Sequence, residues 1–193
     1  MMTPVRYLNR RHWRTLLAVL AVVFASVLAV LVPAAAATDS LGATALFEGK
    51  TIQLADGWGE ATACLVRSDA EVVECFRTEE ELDVRIVQLE QSRGPEAPRR
   101  LSSWCSGYLQ LYDGTAYSGS VLYVRDRYHW INLGNYGFSN RTSSFKISAC
   151  PAIFADGDYG AGDWYPTSQT EAWDQSPSMA PGWDNRVSSI YVG

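Results

Sequence analysis

Two short strings of the sequence repeat the same order of oxygen-bearing side chains. Residues 139–144 read SNRTSS and residues 184–189 read DNRVSS, and each string leads into a run of alternating apolar residues. Carboxamide, carboxylate and hydroxyl oxygens accept hydrogen bonds from nearby backbone N–H groups, so these side chains can cap a loop just before a strand begins. The matching spacing predicts that one loop-and-strand unit occurs twice in the chain.

Side chains of the common catalytic centres are scarce. The sequence has two histidines, and only His129 lies outside the first 37 residues, in a strand-like run next to Tyr128 and Trp130. The nucleophile motif GxSxG, the zinc motif HExxH and phosphate-binding glycine loops do not occur in it. We therefore expect a protein that is not an enzyme. A hydrolase that pairs His129 with a serine is the weakest hypothesis that we consider.

Residues 1–37 have the three-part order of a secretory signal peptide. A region with four arginines precedes an apolar run from Leu16 to Val32, and the small residues of 35–37 follow. We expect cleavage after this segment and a secreted, extracellular protein without a membrane contact. The alternative is an uncleaved membrane anchor. The paired arginines leave open whether export uses the general or the twin-arginine route.

Loss of the signal peptide would make the chain strongly acidic. Residues 1–37 hold four of the 16 basic residues and none of the 21 acidic ones, so the remainder carries 12 basic and 21 acidic residues, a net charge of −9. Such a surface repels nucleic acid and anionic lipid and attracts divalent cations. We therefore expect no nucleic-acid partner.

Four cysteines in an extracellular chain favour two disulfides over free thiols. Two β-type runs flank the turn-forming residues 68–71, and folding the chain about this turn places Cys64 opposite Cys75. We therefore predict a Cys64–Cys75 bridge across a hairpin. The spacing CxxC, which is typical of redox and zinc sites, is absent from the sequence.

The elements that must position these residues fall into two regions. Residues 38–91 contain a short strand, the cysteine hairpin and a helix, which begins with a capping box of Thr78 and Glu81. Apolar side chains on one helix face are expected to pack on the hairpin. They are Leu82, Ile86 and Leu89. Residues 92–100, rich in proline and arginine, predict a linker, and the short alternating runs of residues 101–193 predict an all-β region. Whether the first region packs on the second or binds a separate partner stays open.

A second repeated pattern precedes each of the two strings. YDGTAYSG begins at Tyr112 and FADGDYGAG begins 42 residues later at Phe154, and in both an Asp-Gly turn separates two aromatic residues. Together the four strings resemble the βγ-crystallin Greek key, which has an aromatic hairpin, Y/F/W-xxxx-Y/F-x-G, and a loop, N/D-N/D-x-x-S/T-S. The hairpin pattern is met by Tyr112, Tyr117 and Gly119, and in the second copy by Phe154 and Tyr159, with Ala161 in the place of glycine.

The loop pattern is complete in the second copy and nearly complete in the first. The matching residues are Asp184, Asn185, Ser188 and Ser189 in the second copy and Asn140, Ser143 and Ser144 in the first, where Ser139 replaces the leading Asn or Asp. The resemblance covers about residues 105–193.

The resemblance implies a mainly β fold. It consists of a two-motif Greek-key βγ-crystallin-like sandwich, preceded by the small disulfide hairpin and helix. The motifs would span about residues 105–150 and 151–193, and within each motif strand a would lie beside strand d. Cys105 would then precede the first strand a and Cys150 would follow the first strand d, so the resemblance also implies a Cys105–Cys150 bridge.

The resemblance further implies calcium. In the family these loops bind Ca²⁺ through carboxamide or carboxylate, hydroxyl and backbone oxygens, and a backbone group from the partner motif's hairpin completes each site. The ligands implied here, for one to two sites, are Asp184, Asn185, Arg186 and Ser188 in one loop and Ser139, Asn140, Arg141 and Ser143 in the other. Because Ser139 replaces an Asn or Asp, we expect the first loop to form the weaker site. The alternative is that both strings only cap their loops.

The leading hypothesis is a secreted, monomeric, calcium-binding module of βγ-crystallin type without catalytic activity. The alternative is a proteinase inhibitor of the metalloproteinase type, because secreted bacterial inhibitors of that class have this fold. An extracellular protease would then be the partner, and rigid disulfide-framed loops would lower the entropic cost of docking. Two segments are candidates for such docking, the hairpin tip at 67–71 and the loop at 173–182.

Overall fold

The computed structural model describes residues 42–92 and 107–193. These ranges contain a single α-helix and β-strands that are all short. In chain order the elements are β1 (Thr44–Phe47), β2 (Lys50–Gln53), β3 (Ala63–Val66), β4 (Val73–Phe76), α1 (Glu79–Ser92), β5 (Leu109–Tyr112), β6 (Val121–Val124), β7 (Trp130–Asn132), β8 (Ser144–Ile147), β9 (Ala152–Ala155), β10 (Trp164–Tyr165), β11 (Gln175–Ser176) and β12 (Ser189–Val192). Within the described ranges, no helix has the length and apolar character needed to cross a membrane.

The strands form two sheets that exchange strands between the two repeats. The larger sheet has the order β11-β8-β5-β6-β3-β4-β1-β2, and the smaller sheet has the order β10-β9-β12-β7. The first repeat, β5 to β8, places only β7 in the smaller sheet, while the second repeat, β9 to β12, places only β11 in the larger one. This interlocked order is a pair of Greek-key motifs. It confirms the mainly β, βγ-crystallin-like fold expected from the sequence.

The predicted pairing of strand a with strand d holds in both repeats. β5 pairs antiparallel with β8, which brings Tyr112 opposite Ser144, and β9 pairs antiparallel with β12, which brings Ala155 opposite Ser189. These two facing pairs set the correspondence between the repeats. Tyr112 of the first repeat therefore corresponds to Ala155 of the second.

Strands of the N-terminal region continue the larger sheet. β3 pairs in parallel with β6, and the backbone N–H of Val121 donates to the carbonyl of Thr62 at 2.8 Å. The N-terminal region therefore packs on the crystallin-like region, which is one of the two alternatives that the sequence left open. The predicted division into these regions stays a prediction, and all but the first residue of the predicted linker at 92–100 lies outside the described residues.

β3 and β4 form the predicted disulfide hairpin. Cys64 lies opposite Cys75 in the antiparallel register and is bonded to it, which confirms the first predicted bridge. Cys150 is buried and is also disulfide-bonded. Its predicted partner, Cys105, lies outside the described residues.

α1 begins at the predicted capping residues and covers the outer face of the larger sheet. The Thr78 hydroxyl accepts a hydrogen bond from the N–H of Glu81 at 3.3 Å, and the Glu81 carboxylate accepts one from the N–H of Arg77 at 3.0 Å. Leu82 is fully buried against a cluster of side chains from β3, β5 and β6, with Ile86 and Leu89 packed at its edge. The helix therefore bridges strands of both regions.

A second, larger apolar core lies between the two sheets. Phe145 of β8 and Phe154 of β9 bring their ring centroids to 4.9 Å, so the two repeats share this core. Trp58, from the N-terminal region, enters the same core and stacks on Phe138 with ring centroids 5.3 Å apart. Burial of these rings removes a large apolar area from water and ties the first repeated loop to the N-terminal region.

Candidate functional site

The two repeated loops face each other across the junction of the motifs. The N–H of Asn140 donates to the carbonyl of Val187 at 2.8 Å, and the N–H of Asn185 donates to the carbonyl of Thr142 at 3.0 Å. Both asparagines have left-handed backbone, with φ of 57° at Asn140 and 54° at Asn185. Asparagine tolerates this conformation better than most residues. The loops therefore form a matched pair.

The first serine of each string is directed at the asparagine of the other string. The Ser143 hydroxyl donates to Oδ1 of Asn185 at 3.3 Å, and the Ser188 hydroxyl donates to Oδ1 of Asn140 at 3.2 Å. Both serines are buried, while both asparagines are exposed. We call the Ser143–Asn185 pair site A and the Ser188–Asn140 pair site B. Each site draws its side-chain oxygens from both repeats, which the sequence pattern alone does not reveal.

The second serine of each string holds the hairpin of its own repeat. The Ser144 hydroxyl donates to the carbonyl of Gly114 at 2.6 Å and accepts from the N–H of Tyr117 at 3.1 Å. The Ser189 hydroxyl makes the same two contacts, to the carbonyl of Gly157 at 2.6 Å and from the N–H of Gly160 at 2.9 Å. In each string, the first serine therefore contacts the other repeat, and the second serine holds the hairpin of its own repeat.

These contacts correct the sequence-based alignment of the second hairpin by one residue. Gly160 corresponds to Tyr117, and Gly162 corresponds to Gly119, with φ of +79° at Gly162 and +81° at Gly119. The glycine of the motif is therefore present at Gly162, and Ala161 does not replace it. The error arose because Phe154 and Tyr159 match the aromatic pattern while lying one residue before the equivalent positions.

The aromatic ring of the second hairpin comes from elsewhere in the chain. A Cβ added at Gly160 would lie 2.2 Å from Cε2 of Trp130, so the indole of β7 occupies the space beside this glycine. In the first repeat, Tyr117 itself packs on Tyr112, with ring centroids 5.8 Å apart. The indole of Trp130, from the first repeat, thus lies beside the second hairpin, where Gly160 replaces the tyrosine of the first hairpin.

The arginines of the two strings are turned towards hairpin aspartates. Arg141 contacts Asp113 at 2.5 Å, and Arg186 contacts Asp156 at 2.5 Å and Asp163 at 2.8 Å. The positive charge beside each site is therefore matched by carboxylates.

The ion pairs of the second loop shift the pKa values of their members. Partial burial acts to raise the pKa of Asp156, but the N–H of Asp163 and the guanidinium of Arg186 outweigh it, so the pKa of Asp156 lies below its usual value. Hydrogen bonds to the carboxylates of Asp156 and Asp163 raise the pKa of Arg186. Asp156 is therefore held in its charged form.

The remaining predicted ligands lie at the rim of the loops. Asp184 is exposed, and its carboxylate accepts from the side-chain amide of Asn185 at 3.4 Å, so it lies next to site A. Ser139 is partly exposed and directly precedes Asn140 of site B. The part of the chain that the structure describes has no group of three or more His, Cys, Asp or Glu side chains suited to a metal. Asp184 is the one carboxylate among the predicted ligands, so a cation bound by them would be held mainly by neutral oxygens.

His129 and the two candidate docking segments lie in other parts of the fold. His129 Nε2 lies 3.1 Å from a carboxylate oxygen of Asp126. Arg67, at the start of the hairpin tip, contacts Asp69 at 3.2 Å and Glu74 at 3.0 Å. In the loop at 173–182, Met179 is buried and its N–H donates to the carbonyl of Ser143 at 2.8 Å, which links this loop to site A.

Comparisons with known proteins concern the fold. No family model and no curated protein matches the chain. Similar solved structures include a βγ-crystallin from Ciona intestinalis, with 19% identity over 45% of this chain and 100% of that chain and a TM-score of 0.39. The N-terminal domain of Protein S has 23% identity over 45% of this chain and 94% of that chain, with a TM-score of 0.38. A βγ-crystallin from an archaeon has 15% identity over 46% of this chain and 99% of that chain, with a TM-score of 0.38.

Proposed function

We propose that this chain, whose fold is βγ-crystallin-like, is a non-catalytic module that binds Ca²⁺ at sites A and B. The observation that supports the proposal is the crossed arrangement of the loops, in which a buried hydroxyl of each repeat lies within hydrogen-bonding distance of an exposed amide oxygen of the other. A cation bound at either position would join the two motifs.

The donor set suits calcium. Ca²⁺ binds six to eight oxygens at about 2.3–2.6 Å, and two adjacent oxygens bound at such distances lie about 3 Å apart. The paired oxygens are separated by 3.3 Å at site A and 3.2 Å at site B, so little movement is needed for both to bind one ion. The carbonyls of Arg141 and Arg186 would add backbone oxygens, and water would complete the shell.

The two sites are unequal. Asp184, the one carboxylate among the eight predicted ligands, lies beside Asn185 and therefore supports site A. Site B has Ser139 in the corresponding position beside Asn140. Because a carboxylate adds a charge that the amide and hydroxyl lack, site A is the tighter of the two.

Calorimetric titration of the metal-stripped protein tests this proposal. Extracellular calcium modules bind with Kd of about 10⁻⁴ to 10⁻³ M, so ~10 mM calcium gives about 2.7 kcal/mol of stabilisation at the tighter end. For a chain of this size the melting temperature would rise by about 5–10 °C. Asp184→Ala should remove most of the rise, whereas the matched control Glu90→Gln, which removes an acid from the exposed side of α1, should not change it. If neither heat nor a melting shift is seen at about 10 mM calcium, the proposal is wrong and the strings at 139–144 and 184–189 only cap their loops.

Inhibition of an extracellular protease is a second candidate function. It is supported by the hairpin tip at 67–71, which the Cys64–Cys75 bond and the contacts of Arg67 hold in place before any partner binds. A preorganised loop of this kind should inhibit a thermolysin-like or subtilisin-like protease stoichiometrically. The inhibition should persist at modest salt concentration, because loop docking depends mainly on shape and desolvated contacts. Titration of protease activity tests this candidate, and digestion of the protein by a broad protease panel would eliminate it.

A further inference from the structure

The outer face of the smaller sheet carries a group of aromatic rings. Trp130 of β7 lies with its ring centroid 5.6 Å from that of Trp164 and 5.8 Å from that of Tyr191. Trp164 is 44% exposed, and the neighbouring Tyr159 is 71% exposed. Strand alternation directs these rings away from the core, because Ile131 and Ile190, their neighbours in β7 and β12, are buried between the sheets. We call Trp130, Trp164 and Tyr191 the aromatic patch.

The patch is held in place by its own contacts. The indole N–H of Trp164 donates to the carbonyl of Gly160 at 2.7 Å. Gly160 also leaves the space that Trp130 fills, since a Cβ there would meet the indole at 2.2 Å. The rings of Trp130 and Trp164 are therefore held in place before any ligand arrives, which lowers the entropic cost of binding.

Seven aromatic rings elsewhere in the described chain lie against cations of the chain itself. Such contacts join Arg77 to Phe47, Arg125 to Tyr108, Arg141 to Trp58 and Phe138, Lys146 to Tyr112 and Tyr117, and Arg186 to Trp183. Among the described residues, these contacts include no ring of the aromatic patch.

The correspondence between the repeats explains the difference. Two residues after Ser144, the first repeat has Lys146, whose Nζ lies 4.6 Å from the ring centroid of Tyr117. Two residues after Ser189, the second repeat has Tyr191, which adds a ring where the first repeat adds a cation. The second repeat thus presents aromatic faces at the position where the first repeat supplies its own ammonium group.

We propose that the aromatic patch binds a quaternary ammonium group, such as that of choline, from outside the chain. The electron-rich faces of Trp and Tyr rings attract cations. Outside residues 1–37 the chain carries 12 basic and 21 acidic residues, so its overall charge also favours a cationic ligand. A quaternary ammonium is weakly hydrated and loses little on desolvation at a partly exposed site, unlike the strongly hydrated ammonium of lysine. This binding is independent of calcium.

Ligand-observed NMR of the purified protein in calcium-free buffer tests the proposal. The methyl protons of choline should show a saturable upfield shift with a Kd on the order of 1 mM, because a few partly exposed cation–π contacts give modest affinity. The neutral isostere 3,3-dimethylbutan-1-ol has the same shape without the charge and should bind about tenfold more weakly or not at all. Equal binding of the alcohol would overturn the proposal, since the patch would then be merely apolar. So would the lack of a saturable shift up to about 50 mM choline.

Three variants locate the site. Trp164→Leu should weaken choline binding about tenfold, while Trp173→Leu, at a tryptophan that is 69% exposed in a different loop, should leave binding unchanged. Tyr191→Lys should abolish binding, because it supplies an internal cation as Lys146 does in the first repeat. Equal effects of the two tryptophan variants would overturn the assignment. Sedimentation with phosphatidylcholine and with phosphatidylglycerol vesicles separates a lipid headgroup from soluble choline compounds as the source.

Discussion

The outer faces of the two sheets differ although the two repeats contribute corresponding strands to them. On the larger sheet, α1 buries Tyr112 and Tyr123, and both phenols donate to one carboxylate oxygen of Glu79, at 2.6 and 2.8 Å. Burial and this carboxylate raise the pKa of both phenols, which therefore stay protonated and keep donating. On the smaller sheet, Trp164 and Tyr159 stay exposed.

This comparison separates two kinds of residue within a duplicated unit. Positions that are the same in both repeats, such as Ser144 and Ser189, make the same backbone contacts and hold the hairpins. Positions that differ, such as Lys146 and Tyr191, decide whether a face covers itself or stays open to a partner. The framework positions are thus the same in the two repeats, and the surface positions differ.

Weaker packing of α1 on the larger sheet is expected to have the largest effect on stability. Leu82 is fully buried between α1 and the sheet, so Leu82→Ala should lower the free energy of unfolding by about 3 kcal/mol through lost burial and a cavity. Val84→Ala, at a position of the same helix that is 60% exposed, should cost less than about 0.5 kcal/mol. Urea unfolding measures both. Similar costs for the two variants would mean that α1 contributes little to covering this face.

A methyl group added at Gly160, in the hairpin beside the smaller sheet, should have the next largest effect on stability. Gly160→Ala places a Cβ against the indole of Trp130 and also strains a backbone at φ +79°, so we expect a loss of about 2 kcal/mol. Gly182→Ala is the matched control, because Gly182 has φ of +83° but open space around its Cβ position. It should cost only the backbone strain, about 1 kcal/mol. Equal losses in thermal or urea unfolding would show that Trp130 yields easily and does not depend on this glycine.

Local patterns in the sequence predicted the local features of this fold well. The Cys64–Cys75 bridge followed from folding one hairpin about its turn, and the start of α1 followed from the spacing of Thr78 and Glu81. The Greek-key order followed from four strings in the right order. In each case the residues that carry the signal lie close together in the chain or repeat at a fixed period.

Features that depend on distant pairing were missed. The parallel pairing of β3 with β6 joins segments more than 50 residues apart and leaves no periodic mark in either. The crossing of Ser143 to Asn185 requires both motifs to be folded and docked. The one-residue error at Phe154 arose because an aromatic side chain was taken to define register, whereas Ser189 and the backbone of the hairpin define it.

The crossing changes what the calcium proposal expects of Ser143. By loop alone, Ser143 belongs to the weaker site, because its own string has Ser139 where the family has an acid or amide. Through its contact with Asn185, however, Ser143 belongs with Asp184. Ser143→Ala should therefore raise the Kd of the tighter site about tenfold, and Ser188→Ala should affect mainly the weaker one. Calorimetric titration of both variants tests the order. The opposite order would mean that each loop binds its ion without the other.

The smallest expected effect is a pH dependence from the ion pair of the second loop. The pKa of Asp156 is lowered in the folded protein, so its contribution to stability is present above the unfolded pKa, near 4, and is lost as the pH falls through the lower, folded value. Arg186→Gln removes the neighbouring cation and brings the folded pKa of Asp156 closer to its ordinary value. The stability difference between wild type and Arg186→Gln should therefore be constant from about pH 7 to 5 and shrink below about pH 4. Urea midpoints measured across this range test the prediction.

An Asp156→Asn background provides the control for this prediction. Most of the pH dependence of the stability difference should vanish there, since only the Asp163 carboxylate remains as an acidic partner of Arg186. If the difference instead stays constant down to about pH 2, Arg186 acts through its contact with the Trp183 ring, because a cation–π contact does not titrate with a carboxylate.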